Sequence, residues 1–269
     1  MKVGELHFRG YFNIRNFVMK KTFGMIFVAN ITLLYASGGL AAGISTAATE
    51  YGIGLQDQDD KGFYAEIRSS LFNSVDIENV VRILPFKRAL VNFSDNEVDC
   101  FWPMDIDLLN SLIGSDVELI QSISVFDSTQ HLFSRNGEPA ITNINEVNGK
   151  HIAISIGSNL QPKLEQAGAD VSPVRPGDSK ALLLDSKRVD AVAGWAPENL
   201  ITWNSSGIKP PNYDKNFKLN SAGNSVVCHD TLETKAFIDA LDAIIPVFKA
   251  SDEYKSIAIN YSVDEILVD

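Results

Sequence analysis

Residues 88–101 read RALVNFSDNEVDCF, and residues 180–192 read KALLLDSKRVDAV. The two stretches align when one gap is allowed. Each begins with an apolar run typical of a helix, continues with a polar turn and ends with a Val-Asp pair that leads into a second apolar run. Apolar side chains around the first stretch recur at the i, i+3, i+4, i+7 spacing of a helix, at Phe86, Ala89, Leu90 and Phe93. A helix followed by a strand is therefore predicted in each half of the chain, which favours two similar α/β lobes.

Strands and helices are predicted to alternate through the first half of the chain. The order is a strand at 51–55, a helix that begins at Phe63, a strand at 80–84, a helix that begins at Pro85 and a strand at 98–102. Alternation of this kind is typical of a mainly parallel sheet covered by helices.

The second half repeats this order. Strands are predicted at 150–155, 171–174 and 189–193, with helices that begin at Gly157-Ser158, at Asp178-Ser179 and at Pro197. Residues 123–134 and 216–229 are predicted to be the two links between the lobes, and helices at 232–248 and 253–261 to pack back on the first lobe.

The predicted fold is therefore α/β and two-lobed, with two crossing strands as a hinge. The first lobe is assigned to 43–124 and 228–269, and the second lobe, with the hinge strands, to 125–227. A cleft between two lobes is a preferred place for a small ligand.

The N-terminal segment has the pattern of a secretory signal. Met19-Lys20-Lys21 is a second possible start, residues 22–34 are mostly apolar and uncharged, and residues 35–42 are mostly small. Residues 1–42 are predicted to be the signal peptide, cleaved after Ala42, with cleavage after Ala47 or Ala48 as the alternative. A membrane anchor is a further alternative, although the apolar run is shorter than the ~20 residues that a span needs.

Composition excludes several classes of function. Thirty-four acidic against 23 basic side chains give a net charge of −11, which is unsuited to nucleic acid. The four histidines are scattered without metal-ligand spacing. Cys100 and Cys228 lie beside strand-like runs, so they form either a disulfide or two buried thiols. Residues 94–130 carry eight acids and no Lys or Arg, which favours a cationic ligand if this stretch faces the cleft.

The chain resembles the bacterial extracellular solute-binding proteins of family 3, the periplasmic receptors of amino-acid-type ABC importers. The matching motifs, in chain order, are GFYAE (62–66), PFKRA (85–89), EVD (97–99), LFSRNG (132–137), VNGKHIAISIGS (147–158), KRVDA (187–191) and FIDALDAI (237–244). The resemblance covers about residues 50–262.

This resemblance implies a periplasmic monomer that closes on one small molecule and delivers it to the permease of an ABC importer in the inner membrane. It implies neither catalysis nor a cofactor, because ligand binding simply shifts the population toward the closed form. The ligand class is an amino-acid-like molecule, an amine or a carboxylate.

Two departures from the family pattern bear on the ligand. Members that bind α-amino acids usually carry a Thr-x-x-Arg after the strand at 98–102, but this chain has no Arg or Lys between Ala89 and Ser134. The Asp that often follows the strand of the second lobe is replaced by the stretch VAGWAPE at 192–198. The usual clamp for an α-amino acid is therefore missing.

Candidate ligand contacts in the first lobe begin with Arg88, a cation in the first turn of a helix, where it opposes the helix dipole. It is predicted to bind a carboxylate, with a surface ion pair to Asp95 or Glu97 as the alternative. Phe101 and Trp102 end a strand at the edge where open α/β sheets bind ligands. One of them is predicted to face the cleft, with core packing as the alternative.

Other candidate contacts lie at strand ends. Trp195 holds the corresponding place in the second lobe, and Gly157 and Ser158 lie at a strand-to-helix turn suited to an anion. Gln56 and Asp57 follow the first predicted strand.

Three acids are interpreted mainly as structural. Asp99 and Asp190 of the Val-Asp pairs are predicted to cap turns, and Glu198 to stabilise a helix N-terminus, with a ligand role for Glu198 left open. No nucleophile, metal or His–carboxylate motif is present in the sequence, so the protein is predicted not to be an enzyme. The alternatives are an enzyme on the same scaffold, similar to a cyclohexadienyl dehydratase, and a ligand sensor.

Overall fold

The computed structural model describes residues 43–114, 117–156, 158–174 and 180–268. The predicted signal peptide at 1–42 lies outside the described residues. Within the described residues, no helix is both long and apolar enough to cross a membrane.

The first lobe is built on a central strand close to the start of the described chain. Its elements are β1 (Ile44–Glu50), α1 (Phe63–Asn73), β2 (Asn79–Pro85), α2 (Phe86–Ser94), β3 (Cys100–Met104), α3 (Ile106–Ile113) and β4 (Leu119–Gln121). Strand β1 lies between β2 and β3 and runs parallel to both. The predicted β-α-β-α-β order is confirmed.

The position predicted for the first strand, 51–55, is wrong. Residues 51–56 form a turn in which the backbone N–H groups of Tyr51 and Gly52 both donate to the carbonyl of Gln56. Gly52 and Gly54 have φ of 94° and 75°, a backbone conformation that suits a turn and not a strand. The strand lies seven residues earlier, where Ala47 and Ala48 are fully buried. Cleavage after either alanine, the alternative considered above, would cut β1 in two.

The second lobe follows β5 (Phe126–Ser134), the first strand that crosses between the lobes. Its elements are a 3₁₀ turn (Ile144–Val147), β6 (His151–Ser155), α4 (Gln161–Gln166), β7 (Asp170–Val174), α5 (Lys180–Asp185), β8 (Ala191–Ala196) and α6 (Glu198–Ser205). Strand β6 lies between β7 and β8, parallel to both, and β8 pairs antiparallel with β5. The strands predicted in this half are confirmed to within about three residues.

The return crossing is β9 (Asn220–His229), and it belongs to both lobes. Its first five residues pair with β5, and its last five pair with β3 and β4. The sheet order is β2-β1-β3-β9-β5-β8-β6-β7, so the two predicted links are the two strands that join the half-sheets. Two-lobed α/β architecture with crossing strands is thus confirmed, whereas the residue limits assigned to each lobe stay a prediction.

The chain ends with three helices, α7 (Leu232–Lys249), α8 (Asp252–Asn260) and α9 (Asp264–Leu267). Helix α7 begins with a capping box at Thr231 and Thr234, and it packs on α1, β1 and β4 of the first lobe, as predicted. One cluster of buried apolar side chains extends from Phe63 and Phe237 in the first lobe to Ile201 and Trp203 on α6 in the second. The lobes therefore share part of their core.

Cys100 and Cys228 form a disulfide between β3 and β9, with an S–S distance of 2.04 Å. The two residues are register partners in the antiparallel pair, and both are fully buried. The bond therefore links β3, a strand of the first lobe, to β9, the strand on which the chain returns from the second lobe.

The two Val-Asp pairs have the same structural role in both lobes. The Asp99 carboxylate accepts from the backbone N–H and the hydroxyl of Ser45 at 2.7 and 2.6 Å, and the Asp190 carboxylate accepts from the backbone N–H of His151 at 2.8 Å. Each acid thereby ties the start of one parallel strand to the start of its neighbour. A structural role for both acids is confirmed, but each links the starts of two strands where a turn cap was predicted.

Replacing Asp99 by alanine is expected to lower the free energy of unfolding by about 1.5–3 kcal/mol, because two hydrogen bonds to a charged group are lost. Urea denaturation measures the change. Asp95→Ala is the matched control, since that exposed carboxylate makes no hydrogen bond with a described residue and should change stability by less than about 0.5 kcal/mol. Equal losses in the two variants would contradict the role given to Asp99.

Candidate functional site

A carboxylate at the junction of the two lobes is the centre of the candidate site. Glu198 is the first residue of α6, directly beyond the carboxyl end of β8. Its Oε1 accepts a hydrogen bond from the Tyr64 hydroxyl at 2.7 Å and a second, short one from the Ser128 hydroxyl. Tyr64 belongs to α1 of the first lobe, and Ser128 belongs to the crossing strand β5. The Glu198 carboxylate, which is itself on α6 of the second lobe, therefore contacts both the first lobe and a crossing strand.

The second crossing strand is connected to the same carboxylate. The side-chain amide of Asn224 on β9 donates to the Ser128 hydroxyl at 2.7 Å, and Ser128 in turn donates to Glu198. Both Asn224 and Ser128 are buried. The Glu198 carboxylate is therefore connected by hydrogen bonds to both crossing strands, directly to β5 and through Ser128 to β9.

The electrostatics of Glu198 are those of a carboxylate held inside the protein. Burial raises its pKa, while the hydrogen bonds from Ser128 and Tyr64 and the charge of Lys180 act in the opposite direction. The second oxygen, Oε2, is buried and has no hydrogen-bond partner among the described residues. An unsatisfied buried acceptor is costly, so this oxygen is a place where a donor from a ligand would bind.

The nearby cation is Lys180, the first residue of α5. Its ammonium donates to the Ser155 hydroxyl at 3.2 Å and to the carbonyl of Ala193 at 3.0 Å. Burial lowers the pKa of Lys180 to about 8, and the negative charge of Glu198 partly offsets this effect. The second lobe thus carries an acid and a base, both half-buried, whose charges each shift the pKa of the other.

Lys180→Met is expected to show the cost of this burial as a pH-dependent difference in stability. Between the folded pKa of about 8 and the ordinary value of 10.5, the unfolded chain binds more protons than the folded protein. Wild-type stability should therefore rise relative to the variant across this window. The full pKa difference corresponds to about 3 kcal/mol, and we expect roughly 1–3 kcal/mol because the side chain is only half-buried.

Urea denaturation at pH 7, 8, 9 and 10 measures this difference. Titration of the tyrosines changes the free energy of unfolding equally in both proteins, so it cancels when the two are compared. The exposed Lys163 on α4 provides the control, because Lys163→Met should give a difference from wild type that does not change with pH. A flat difference for Lys180→Met would contradict the burial of its charge.

Aromatic rings hold Tyr64 in place. Its ring centroid lies 5.2 Å from that of Tyr51 and 5.9 Å from that of Phe126, which is stacked on it. The indole N–H of Trp102 donates to the backbone carbonyl of Tyr64 at 3.2 Å. The hydroxyl that reaches Glu198 is therefore presented by a packed and oriented side chain.

A second contact between the lobes is made by the turn that follows β1. A Cβ placed on Gly54 would lie 2.2 Å from the Ser205 hydroxyl and 3.1 Å from a methyl carbon of Ile201, both on α6. Glycine is needed here for the close approach and for its φ of 75°. The absence of a side chain at Gly54 lets the first lobe lie against the helix that begins with Glu198.

The predicted contacts in the first lobe are not part of this cluster. Arg88 is exposed on α2, and neither of the predicted ion pairs, to Asp95 or to Glu97, is formed. Phe101 and Trp102 are fully buried, since Phe101 packs edge-on against other phenylalanines and the indole of Trp102 supports Tyr64. Ligand roles for Arg88, Phe101 and Trp102 stay predictions.

The remaining predicted contacts lie at loops and strand ends. Trp195 is half-buried on β8, opposite Gln130 of β5. The Ser158 hydroxyl accepts from the backbone N–H of Leu160 at 3.3 Å, a local turn contact just before α4. Gly157 lies outside the described residues. Ligand roles for Trp195 and Ser158 stay predictions.

Gln56 and Asp57 organise the loop before α1. The Gln56 amide donates to Asp60 at 3.0 Å, and the Asp57 carboxylate accepts from the backbone N–H groups of Asp59 and Lys61. The other polar atom of Gln56, its Oε1, is buried without a partner among the described residues. Both residues have structural contacts, and their ligand roles stay predictions.

Two residues of the cluster carry no signal in the sequence, because Ser128 and Asn224 are polar residues inside strands with no motif around them. Tyr64 lies in the motif at 62–66 and Glu198 was open to a ligand role, but the sequence does not show that these residues, 134 positions apart, meet. Lys180 was detectable, because in the alignment of residues 88–101 with 180–192 it takes the place of Arg88. No cluster of three or more metal-ligating side chains occurs among the residues that the structure describes.

Comparison with known proteins identifies the fold. No family model and no curated protein matches the sequence. Solved structures do match: the GluR0 ligand-binding core from Nostoc punctiforme in complex with L-glutamate is 17% identical with a TM-score of 0.63, and the match covers 82% of this chain and 99% of that one.

Two further structures extend this likeness. The L-cystine solute receptor of Neisseria gonorrhoeae is 15% identical with a TM-score of 0.62, over 84% of this chain and 95% of the receptor. The probable amino-acid ABC transporter extracellular-binding protein ytmK from Bacillus subtilis is 16% identical with a TM-score of 0.66, over 84% and 98%. The described chain therefore has the two-lobed fold of the periplasmic binding proteins.

Proposed function

We propose that this protein is a periplasmic solute-binding receptor, a monomer that captures a small polar metabolite between its lobes and delivers it to an ABC importer. The ligand is an amino-acid-like molecule, an amine or a carboxylate. The observation that carries the proposal is the Glu198 carboxylate, which contacts Tyr64 of the other lobe through one oxygen and keeps the other oxygen buried and unpartnered. The lobes would be 43–124 with 228–269, and 125–227.

Position and electrostatics support this function. Glu198 follows the carboxyl end of a strand, the edge at which open α/β sheets bind ligands. A buried carboxylate with a free oxygen is suited to a donor that carries positive charge. The similar solved structures include an L-cystine receptor and a core in complex with L-glutamate, which agrees with a small polar ligand.

Two features that agree with export to the periplasm support the same function. The proposed signal peptide precedes β1, and cleavage after Ala42 would leave the central strand intact. The disulfide between Cys100 and Cys228 is of the kind that persists in an oxidising compartment such as the periplasm.

An enzyme on this scaffold is the alternative, and the pair of Lys180 and Glu198 is the observation in its favour, because a base with a lowered pKa and an acid with a raised pKa can transfer protons. Prephenate-like acids are the substrates to test for a dehydratase. Turnover that Lys180→Met abolishes would establish this alternative, and binding without turnover would support the receptor.

Thermal-shift screening with amino acids, amines and carboxylates tests the receptor function. A ligand at 100 times its Kd should add about 2.7 kcal/mol to the stability of the folded protein. In Glu198→Gln, affinity for a bound compound with a cationic group should fall about 10- to 100-fold, because the charge is lost while the side chain keeps its size.

The control is Glu97→Gln, a substitution of an exposed acid in the first lobe that should leave affinity unchanged. Unchanged affinity in Glu198→Gln would remove Glu198 from the binding site.

A further inference from the structure

The C-terminal helix α9 makes a contact with the second lobe that is separate from the candidate site. The Lys215 ammonium donates to the Glu265 carboxylate at 3.3 Å. Lys215 lies in the loop between α6 and β9, whereas Glu265 lies on α9, beyond the helices that pack on the first lobe. Among the residues that the structure describes, this is the only ion pair that joins the two lobes.

The loop that carries Lys215 is attached to the crossing strand β5. The imidazole Nδ1 of His131 on β5 lies 3.1 Å from each of two backbone carbonyl oxygens of the loop, those of Asp214 and Phe217. Because a carbonyl oxygen only accepts, Nδ1 carries the proton and donates to both. Lys215 lies between these two attachment points, so its backbone is fixed relative to β5.

Tyr213 extends the contact with α9 beyond the ion pair. Its ring centroid lies 4.9 Å from that of His131 and 5.1 Å from that of Phe133, both on β5. Burial raises the pKa of the Tyr213 hydroxyl, and the negative charge of Glu265 raises this pKa further. Glu265 therefore lies close to an aromatic and a cationic side chain of the same loop.

Helix α9 is in turn fixed to the first lobe. It packs on α8, and α8 packs on α1 and α7. Ile266 and Leu267 of α9 are partly buried against the apolar cluster that the two lobes share. Since Lys215 and Glu265 are each attached to a different lobe, their contact depends on how the lobes are oriented.

We propose that Glu265, Lys215 and Tyr213 form a C-terminal latch, which stabilises the arrangement of the lobes described here from outside the ligand cleft. In this arrangement Tyr64 of the first lobe also reaches Glu198 of the second. A contact that one arrangement has and another lacks shifts the population toward the first, whether or not a ligand is bound. The latch is therefore independent of which molecule the protein binds.

The size of the effect follows from the exposure of the two charges. The side chains of Lys215 and Glu265 are 57% and 83% exposed, so water and salt screen their attraction. An ion pair of this kind should change the ratio of open to closed molecules by about 2- to 5-fold. Reversing one charge replaces attraction by repulsion, so a single reversal should raise this ratio about 5- to 20-fold.

The test is a charge-swap cycle. The four proteins are wild type, Lys215→Glu, Glu265→Lys and the double variant that carries both substitutions. Spin labels are attached through Lys87→Cys on α2 and Gln166→Cys on α4, which are exposed positions in the first and the second lobe. The two native cysteines do not react, because they form the buried disulfide.

Pulsed electron double resonance measures the distance distribution between the labels without any ligand, at about 20 mM and about 500 mM NaCl. Small-angle scattering of the unlabelled proteins gives an independent measure of opening. The control is Lys235→Glu, because it makes the same charge change in an ion pair with Asp230 that lies within the first lobe.

Support requires that each single reversal raises the ratio of open to closed molecules about 5-fold or more at low salt, with a larger radius of gyration. The double variant should return to within about 2-fold of wild type, the differences should shrink at high salt, and Lys235→Glu should match wild type.

Two results would overturn the latch. One is wild-type distances and scattering in both single reversals, and the other is a double variant that is as open as the single ones. Urea denaturation shows whether each variant is folded. Because these measurements contain no ligand, they do not depend on the thermal-shift screen. Opening by the reversals together with a negative screen would contradict the receptor function and would leave the latch in place.

Discussion

Loss of the disulfide between Cys100 and Cys228 is expected to lower the free energy of unfolding by about 2–5 kcal/mol, a large effect for a single bond. The two residues are 128 positions apart, so the bond closes nearly half of the chain into one loop. For a loop of this size, the entropy of the unfolded chain alone accounts for about 5 kcal/mol at 25 °C. The bond also holds β3 to β9, the strand on which both lobes depend.

The measurement is urea denaturation of the oxidised protein, of the reduced protein and of Cys100→Ala/Cys228→Ala. Reduction keeps both sulfur atoms in the core, so it isolates the effect of the bond from that of the cavity left by the double substitution. The dependence of unfolding free energy on urea should become steeper without the bond, because the unfolded chain is less compact.

A reducing agent should not alter the double variant, which is the internal control. Equal midpoints and slopes for oxidised and reduced wild type would show that the bond does not stabilise the protein.

Gly54→Ala is expected to hold the two lobes apart and to reduce ligand affinity about 10- to 100-fold. The added methyl group would lie 2.2 Å from the Ser205 hydroxyl and 2.9 Å from the Ser205 Cβ, so α6 must move. The backbone conformation adds about 1–2 kcal/mol of strain for a residue with a side chain. In the proposed receptor the ligand binds in the closed arrangement, so the cost of closure appears directly in the affinity.

Gly52→Ala is the matched control for this substitution. Gly52 lies in the same turn with φ of 94°, so alanine is strained there as well, but nothing lies within 4 Å of the added methyl group. An effect on closure that Gly54→Ala shows and Gly52→Ala lacks therefore comes from the contact with α6.

Small-angle scattering of the free variants should give a larger radius of gyration for Gly54→Ala than for Gly52→Ala. Adding Ser205→Gly to Gly54→Ala removes the atoms that the methyl group meets and should restore much of the wild-type behaviour. Identical scattering and affinity in the two alanine variants would show that the turn does not control closure.

The sequence predicts the second lobe better than the start of the first. The runs that form β6 and β8 are apolar and short, and each directly follows a charged residue, Lys150 or Asp190, so these signals are local. The strand predicted at 51–55 is wrong because Tyr51 and Leu55 give an apolar pattern, although the two intervening glycines adopt turn conformations. The sequence pattern does not mark the true strand, because the alanines and threonines of β1 resemble a cleavage site.

Two elements of the first lobe were not predicted. Strand β4 has three residues, too few to show a periodic pattern. Helix α3 does carry signals, since Ile106, Leu109 and Ile113 have helical spacing and the Asp105 carboxylate accepts from the backbone N–H groups of Asp107 and Leu108.

The candidate site depends on contacts that no local pattern contains. The hydrogen bond from Tyr64 to Glu198 joins residues of different lobes, and it exists only because β5 and β9 bring the lobes together. Lys180 differs, because the internal repeat places it in register with Arg88. The reasoning that selected Arg88, a cation in the first turn of a helix, applies equally to Lys180.

The chain leaves the first lobe and returns to it at one place. The backbone N–H of Ser122 donates to the carbonyl of Val226 at 2.9 Å, and that of Val125 donates to the carbonyl of Asn224 at 2.9 Å. The intervening hundred or so residues are thus a single insertion whose two ends are already side by side. A gene fusion that replaces this segment with its counterpart from another protein of the same architecture needs only two splice points. Such an exchange would replace the second lobe as one unit and would keep the first lobe with its disulfide between Cys100 and Cys228.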